Sequence, residues 1–305
     1  MKKHRPVTKA VIAAAGYGTR FLPATKNQPK EMLPIIDKPI IHYVVEEAVK
    51  SGITDIILVS RAGQHVMEDY FDNHLELEHA LREAGKTDRL KMVQEIPQMA
   101  NFVYVRQKGN LPYGNASPLI AAKKLIDDDE AFVYMFADDI TLGNPPITRQ
   151  LIEVYNEYHP SAVLATQEVP WNQVYRYATL EFKKDASYAY AMAKGYEKLN
   201  EAEAPSNMIQ VGRFVFTHDV IKAVETCPTG KDGELWMIDV LNQVAHEGKK
   251  VYAAPYDGEW LTTGDPLNFM KAMFRVSMER EDLRDDILDY LKREILSYSE
   301  YYNSN

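Results

Sequence analysis

The sequence has few of the features that mark secreted or membrane-spanning proteins. It contains a single cysteine, Cys227, which excludes an intramolecular disulfide and favours a reducing compartment, so we predict a cytoplasmic protein. No run of apolar residues approaches the roughly 20 that a membrane span needs. The short apolar stretch at 10–15 follows several cations but soon meets Gly16, and a buried strand explains it better than a signal peptide.

Positive charge is also scarce, except near the amino terminus. The net charge is -9, from 35 basic and 44 acidic residues, which argues against nucleic acid or an anionic membrane as a partner. Residues 1–30 are different, because they contain no Asp or Glu and carry Lys2, Lys3, Arg5, Lys9, Arg20, Lys26 and Lys30. An anionic ligand would therefore bind to a local cluster rather than to the whole surface.

The pattern of apolar segments predicts the fold class. Short runs typical of buried strands lie at 9–16, 55–60, 102–107, 131–139 and 161–169. Helical patterns at 38–52 and 117–128 lie between them, and Pro39 and Ser117 mark their starts. Such alternation predicts an α/β fold with a Rossmann-like mixed, mainly parallel sheet flanked by helices. Since there is no repeat or flexible linker, we predict a single domain.

The predicted strand ends place several polar residues together. The loop "GYGTR" (16–20) follows the first strand, Arg106 and Gln107 end the third, and Asp138 and Asp139 end the fourth. In open α/β sheets ligands bind at the carboxyl ends of the strands. We therefore expect these residues to converge on one cleft.

The glycine loop itself has two interpretations. It lacks the spacing of a Walker A loop and the third glycine of a dinucleotide fingerprint, so redox chemistry with a dinucleotide is disfavoured. Gly16 and Gly18 could simply allow a tight turn. However, Arg20, Lys26 and Lys30 follow closely, and exposed backbone amides with nearby cations are typical of a phosphate cradle.

Several longer segments resemble the bacterial UTP–glucose-1-phosphate uridylyltransferases, a branch of the sugar-phosphate nucleotidylyltransferases. They include "AAGYGTRFLPATKNQPKEMLPI", "DKPIIHYVVEEAVKSGITDIILV", "EAPSNMIQVGRFVF" and "GELWMIDVL". The resemblance implies a nucleotidyltransferase domain at 8–275 followed by a helical tail at 276–305. It also implies conversion of UTP and glucose 1-phosphate to UDP-glucose and pyrophosphate, Mg²⁺ as cofactor, and a homo-oligomer.

The resemblance also assigns residue roles by matching position. Nucleotide binding falls to Ala13, Ala14, Gly16, Gly18, Thr19, Gln107, Gly114 and Asp138, with Gln107 and Gly114 reading uracil. Sugar binding falls to Glu197, Lys198, Gly212 and Glu234. Arg20 would stabilise the pyrophosphate portion, Lys30 the α-phosphate and Lys198 the sugar phosphate, while Asp138 would hold Mg²⁺. No covalent protein nucleophile is implied.

These assignments have plain structural alternatives. Asp138 and Asp139 could form a turn, and Glu197 with Lys198 could be an ordinary solvated pair. Trp236 could serve packing alone.

One departure from the family pattern concerns the metal. In "WLTTGDPL", Thr262 stands where the family has an aspartate that serves as a second magnesium ligand. A hydroxyl is a much weaker ligand than a carboxylate for Mg²⁺. Asp257, Glu259 or Asp265 could compensate.

Further departures cluster on the sugar side, at Leu199, Asn115 and Ala178. They make an altered sugar preference plausible. Three hypotheses therefore remain: an active uridylyltransferase, a non-catalytic homologue that binds nucleotide sugars, and an enzyme for another sugar 1-phosphate or for dTTP.

Overall fold

The secondary structure comes from a computed structural model, which describes residues 5–184 and 186–303, with side chains described through residue 296. The strands are β1 Lys9–Ala13, β2 Pro34–Ile35, β3 Lys38–Pro39, β4 Asp55–Arg61, β5 Asn101–Gln107, β6 Phe132–Phe136, β7 Asp139–Leu142, β8 Ala162–Glu168, β9 Ala178–Phe182, β10 Met192–Glu197, β11 Met208–Phe216, β12 Val251–Pro255 and β13 Glu259–Thr262. The α-helices are α1 Ile40–Lys50, α2 Val66–Tyr70, α3 Leu75–Glu83, α4 Thr87–Glu95, α5 Ser117–Ala122, α6 Ile147–Tyr158, α7 His218–Thr226, α8 Met237–His246, α9 Pro266–Ser277 and α10 Arg284–Asn303.

A nine-stranded mixed sheet forms the centre of the molecule. Its order is β10-β9-β11-β6-β1-β4-β5, with β8 beside β11 and β12 beside β8. Strands β1, β4, β5, β6, β8, β9 and β12 run in one direction, and β10 and β11 run in the other. The predicted mixed, mainly parallel sheet flanked by helices is therefore confirmed.

Both faces of the central strands β1, β4 and β6 are buried, which explains why their inner residues are almost all apolar. On β1, Ile12 packs into a core that contains Val44 of α1 and Leu151 of α6. The next residue back, Val11, points to the opposite face and packs with Leu119 of α5 and with helices α7 and α8. Neighbouring strand residues point to opposite faces, so a strand covered by helices on both sides needs apolar residues at every position.

The structure differs from the sequence prediction at two element boundaries. The predicted strand 131–139 is divided into β6 and β7, because β7 leaves the central sheet and pairs antiparallel with β13. The predicted helix 117–128 is shorter, since α5 ends at Ala122 and a 3₁₀ turn follows. Ala116, not Ser117, occupies its N-cap.

The carboxyl-terminal part of the chain is helical, as the sequence pattern predicts. The predicted boundary between domain and tail, at 275/276, falls inside α9 rather than in a loop. Within the part of the chain that the structure describes, none of the helices is long and apolar enough to cross a membrane.

A buried ion pair joins the sheet to the helical layer. Arg213 on β11 is fully buried, and its Nη2 lies 2.8 Å from Glu47 Oε2 on α1. The second oxygen of Glu47 accepts hydrogen bonds from the backbone N–H of Thr148 at 3.1 Å and from its hydroxyl at 2.6 Å. The pair therefore connects β11, α1 and α6.

The same guanidinium holds the turn between β6 and β7. Arg213 Nη1 donates to the carbonyl of Phe136 at 3.1 Å, and Nη2 donates to the carbonyl of Asp139 at 2.7 Å. Asp138 lies between these two carbonyls in the chain. The buried Arg213 side chain thus fixes the backbone on both sides of Asp138.

Replacing Arg213 with Met should destabilise the protein strongly. The change leaves Glu47 buried without its partner, and breaking a buried pair on one side costs about 3–5 kcal/mol. Urea denaturation measures the free energy of unfolding. Adding Glu47→Leu should recover part of the loss, whereas Lys91→Met, which breaks an exposed pair with Glu95, should have no measurable effect. Equal stability of wild type and Arg213→Met would contradict this role.

Candidate active site

A cleft of about 410 Å³ lies at the carboxyl ends of β1, β5 and β6. Most of the residues predicted for the site line it, namely Ala13, Gly16, Arg20, Lys30, Gln107, Gly114, Asp138, Glu197, Lys198 and Glu234. The parallel strands bring their ends together, as the sequence pattern predicts. Residues from the amino-terminal half and from 197–234 thus face the same space.

The other predicted residues lie beside or below this cleft. Gly18 and Thr19 line a smaller adjoining cavity of about 200 Å³, together with Arg20 and Lys30. Ala14 is fully buried, and its N–H donates to the carbonyl of Val59 at 2.9 Å.

Gly212 is also not among the lining residues. A Cβ there would lie 2.4 Å from Asp139 Oδ2 and 2.6 Å from the ring of Phe136. The absence of a side chain at Gly212 therefore lets Phe136 and Asp139 pack beneath the cleft.

Arg106 does not join the cleft, contrary to the expected convergence. Its neighbour Gln107 lines the cleft, whereas Arg106 contacts His65, with 3.2 Å between Nη2 and Nδ1. Consecutive strand residues point to opposite faces, so only one of the two can reach the site. Asp139 does not line the cleft either, because it is buried, with 5% of its surface exposed.

The glycine loop is held closely against Lys30. Gly18 has a φ of 63° and its carbonyl accepts a hydrogen bond from Thr25 Oγ1 at 2.7 Å. A Cβ at Gly18 would approach Lys30 Cβ to 3.2 Å. Glycine is therefore required here both for the left-handed backbone and for the close approach.

Lys30 and Asp138 form the central ion pair of the cleft. Lys30 Nζ lies 2.5 Å from Asp138 Oδ2. Burial acts to lower the pKa of Lys30 and to raise that of Asp138, but the attraction between them outweighs burial in both cases. The pKa of Lys30 is therefore raised and that of Asp138 lowered, so both groups are charged at neutral pH.

The end of β13, with Thr262 as its last residue, lies against the turn that carries Asp138. Strand pairing puts Thr262 opposite Asp139, and the hydroxyl of Thr263 donates to the carbonyl of Asp138 at 2.7 Å. Arg20 Nη1 donates to the carbonyl of Gly264 at 3.2 Å. Position 262 therefore lies next to the turn that carries Asp138.

The carboxylates that might compensate for Thr262 are engaged elsewhere. Asp265 caps helix α9 and pairs with Arg176 at 2.7 Å. Glu259 pairs with Arg275 at 2.7 Å, and Asp257 lines a separate cavity. Across residues 5–184 and 186–303, no cluster of three or more His, Cys, Asp and Glu side chains could hold a metal ion.

Sequence reasoning missed one buried carboxyl in the cleft, Glu31. It is 1% exposed, and its Oε2 has no hydrogen-bond partner among the described residues. Burial raises its pKa from 4.5 to about 7, against the opposing charge of Lys30. The only signal in the sequence is its position beside Lys30. Arg176 and Tyr177, at the end of a 3₁₀ helix, also line the cleft and were missed, as was Thr263, which binds the carbonyl of Asp138.

On the side of the cleft away from the glycine loop, Glu197 ends β10 and Lys198 follows it. Lys198 has a φ of 49°, and its backbone N–H donates to the carbonyl of Tyr177 at 3.1 Å. Its Nζ lies 3.5 Å from Glu197 Oε1, and the Glu197 side chain is only 11% exposed. Burial raises the pKa of Glu197 above its ordinary value despite the charge of Lys198. This burial argues against a freely solvated pair.

The segment around Gly114 is tied to the segment before α8. The N–H of Leu235 donates to the carbonyl of Tyr113 at 2.7 Å, and a Cβ at Gly114 would lie 2.2 Å from the carbonyl oxygen of Leu235. Asn115 Oδ1 accepts from the N–H of Met237 at 2.7 Å. Gly114 therefore permits two backbones to approach, and Asn115 fixes the start of α8.

Taken together, the fold and the cleft define an α/β nucleotide-binding protein, with a glycine loop, paired charges and a buried carboxylate at one sheet edge. The sequence profile described as Nucleotidyl transferase matches residues 9–279. The chain therefore belongs to the nucleotidyl transferase family.

Individual relatives are similar over nearly the whole chain. UTP–glucose-1-phosphate uridylyltransferase 2 of Staphylococcus saprophyticus is 39% identical over 289 residues, covering 95% of this chain and 98% of the relative. The structure is similar to a UDP-glucose pyrophosphorylase complexed with UDP-glucose, at 32% identity and a TM-score of 0.79, covering 90% of this chain and 100% of that one. It is also similar to a UTP-bound UGPase from Acinetobacter baumannii, at 30% identity and a TM-score of 0.84, with coverage of 93% and 98%.

Replacing Glu31 with Gln should flatten the pH dependence of stability. The pKa of Glu31 is raised to about 7 in the folded chain, so folding takes up a proton between its unfolded and folded pKa values. The contribution to stability is complete below about pH 4.5 and is lost as the pH rises through about 7. Wild type should therefore lose up to about 3 kcal/mol from this group between about pH 5 and pH 8.

Urea denaturation of the ligand-free protein at several pH values measures this slope. Burial and the charge of Asp138 also raise the pKa of Asp139 to about 7. The free energy of unfolding of Glu31→Gln should therefore still depend partly on pH. Glu83→Gln, on an exposed part of α3, should retain the wild-type profile. If Glu31→Gln also retained it, the buried carboxyl would not titrate as described.

Proposed function

We propose that the protein transfers a uridylyl group from UTP to glucose 1-phosphate and releases pyrophosphate. The observation that carries this proposal is the pairing of two charged sites in one cleft, Lys30 with Asp138 on one side and Lys198 on the other. The relatives named as uridylyltransferases and UDP-glucose pyrophosphorylases support the choice of UTP and glucose 1-phosphate.

The chemistry is an in-line displacement at the α-phosphorus. A phosphate oxygen of glucose 1-phosphate forms the new bond to this phosphorus, and the bond to the leaving pyrophosphate breaks with its electron pair. No protein nucleophile takes part, so the residues act by positioning and by neutralising negative charge. Arg20 stabilises the leaving pyrophosphate and Lys30 the α-phosphate.

The nucleotide occupies the half of the cleft beside the glycine loop. The backbone of Ala13, Gly16 and Gly18 contacts the nucleoside and its phosphates, supported by Ala14 and Thr19. Gln107 and Gly114 recognise the uracil ring from the side opposite the glycine loop. This arrangement is supported by the exposed amides of the loop and by the concentration of cations in 1–30.

The residues present fit a magnesium ion that arrives with the triphosphate. Asp138 would be its protein ligand, while Thr262 offers only a hydroxyl. Mg²⁺ needs few protein ligands when phosphate oxygens and water complete its shell. When bound, it would supply neutralisation of the triphosphate charge. Lys30 would have to give up part of its contact with Asp138.

The sugar phosphate occupies the other half of the cleft. Lys198 binds its phosphate, Glu197 accepts hydrogen bonds from sugar hydroxyls, and Glu234 and Gly212 shape the pocket. The burial of Glu197 supports this role, since a buried carboxylate gains from new hydrogen-bond donors.

Other properties belong to the same proposal. We expect a cytoplasmic homo-oligomer, with the domain at 8–275 and the tail at 276–305. Helix α9 supports the oligomer, because it exposes 64% of Leu267, 60% of Met270 and 43% of Phe274 on one stripe.

One observation favours a second candidate, a homologue that binds nucleotide sugars without turnover. Position 262 lacks the carboxylate of the family pattern, and Asp138, which would bind the metal, already forms an ion pair with Lys30. Such a protein would bind UDP-glucose saturably and release no pyrophosphate.

Wild type should release pyrophosphate from UTP and glucose 1-phosphate only when Mg²⁺ is present. Asp138→Asn should lower kcat by about 100-fold or more, because the metal and Lys30 both lose their carboxylate. A coupled pyrophosphate assay with and without Mg²⁺ measures this. Unchanged turnover in Asp138→Asn would overturn the metal assignment.

The Thr262→Asp variant separates the two candidates. Turnover in wild type means that one carboxylate is sufficient. If only Thr262→Asp turned over, while wild type and variant both bound UDP-glucose, the wild-type protein would be a non-catalytic binding homologue rather than an enzyme. Other sugar 1-phosphates and dTTP in the same assay test substrate preference.

Replacing Lys198 with Ala should raise the KM for glucose 1-phosphate by roughly 10- to 100-fold, because a charge-assisted hydrogen bond to the phosphate is lost. The KM for UTP should change by less than about twofold. Lys194→Ala, on strand β10 just before Lys198 but outside the cleft, is the matched control. Equal losses for both substrates would contradict the role of Lys198.

A further inference from the structure

We propose that Trp236 is a positioning residue for the sugar phosphate, because its ring holds the Lys198 ammonium in the cleft without neutralising it. Lys198 Nζ lies 4.2 Å from the centroid of the Trp236 ring. Both residues line the cleft. The inference rests on the proposed function and adds a residue to its sugar side.

Three hydrogen bonds hold Trp236 in place, two on the neighbouring backbone and one on the indole ring. On one side, the N–H of Leu235 donates to the carbonyl of Tyr113, and on the other the N–H of Met237 donates to Asn115. The indole Nε1 donates to the carbonyl of Lys231 at 3.0 Å. The ring plane therefore presents a defined face to the cleft.

The Lys198 side chain starts from an equally constrained backbone. A φ of 49° is unusual for a lysine and is stabilised here by its N–H bond to Tyr177. Strained positions of this kind persist where the surrounding structure holds them, often at functional sites. The chain thus directs the ammonium towards the Trp236 face.

An aromatic partner suits a phosphate-binding lysine better than a carboxylate does. A carboxylate at hydrogen-bond distance would cancel the charge and occupy a donor of the ammonium. Glu197 Oε1 forms only a long ion pair with Lys198, at 3.5 Å, whereas the ring attracts the cation through its quadrupole and uses none of its N–H donors. A sugar phosphate therefore meets an ammonium that is already in place and has donors left to bind it.

Steady-state kinetics and calorimetry of Trp236 variants test this inference. In Trp236→Leu, the KM for glucose 1-phosphate should rise about 5- to 30-fold, with kcat and the KM for UTP within about twofold of wild type. Trp236→Phe keeps an aromatic face and should stay within about threefold. Trp171→Leu removes an exposed tryptophan outside the cleft and should change none of these values.

A double-variant comparison separates positioning of the cation from simple pocket shape. In a Lys198→Met background, where no cation remains to be held, adding Trp236→Leu should change the KM by less than about twofold. If Trp236→Leu had the same effect with and without Lys198, the ring would act through packing alone, and the inference would be wrong.

Calorimetry keeps the test independent of turnover. UDP-glucose carries the phosphate next to the sugar, and UMP lacks it, so Trp236→Leu should weaken UDP-glucose binding about 5- to 30-fold and leave UMP binding unchanged. A wild type that binds UDP-glucose but releases no pyrophosphate would defeat the proposed activity alone. Equal or absent losses for the two ligands, or no wild-type binding of UDP-glucose, would overturn the role of Trp236.

Discussion

The buried ion pair between Arg213 and Glu47 is the contact on which the geometry of the cleft depends. One guanidinium joins the sheet to α1 and, through Glu47, to α6. It also binds the carbonyls on both sides of the turn that carries Asp138. Because an unpaired buried charge is costly, this network has essentially one favourable arrangement. The position of Asp138 in the cleft therefore follows from an ion pair that is almost completely buried.

In the cleft beside that turn, the positive side chains would repel one another without neighbouring groups that stabilise them. The protein has a net charge of -9, yet its cleft contains Arg20, Lys30 and Lys198. Asp138 compensates Lys30, and Trp236 faces Lys198 without neutralising it. The two halves of the site therefore differ: Lys30 makes a close pair with Asp138 at 2.5 Å, whereas Lys198 has a longer contact with Glu197 at 3.5 Å and an aromatic ring as its other partner.

The sequence predicted the fold and most of the cleft because both depend on local patterns. Apolar runs predicted the parallel strands, and strand ends predicted where Gly16, Gln107 and Asp138 meet. The same reasoning failed for Arg106, because the register of a strand decides which neighbour faces the site. It also missed Glu31 and Thr263, which no periodicity marks.

The amino-acid sequence by itself determined the alternation of strands and helices, the glycine loop with its cations, and the family to which the chain belongs. These properties depend on hydrophobic period and on short motifs, which act within a few residues along the chain. The tertiary structure was needed to show that Arg213 holds the turn at Asp138, that Thr262 pairs with the neighbouring Asp139, and that the Lys198 ammonium lies over the Trp236 ring. These contacts join residues far apart in the chain, so packing and strand register decide them rather than local pattern.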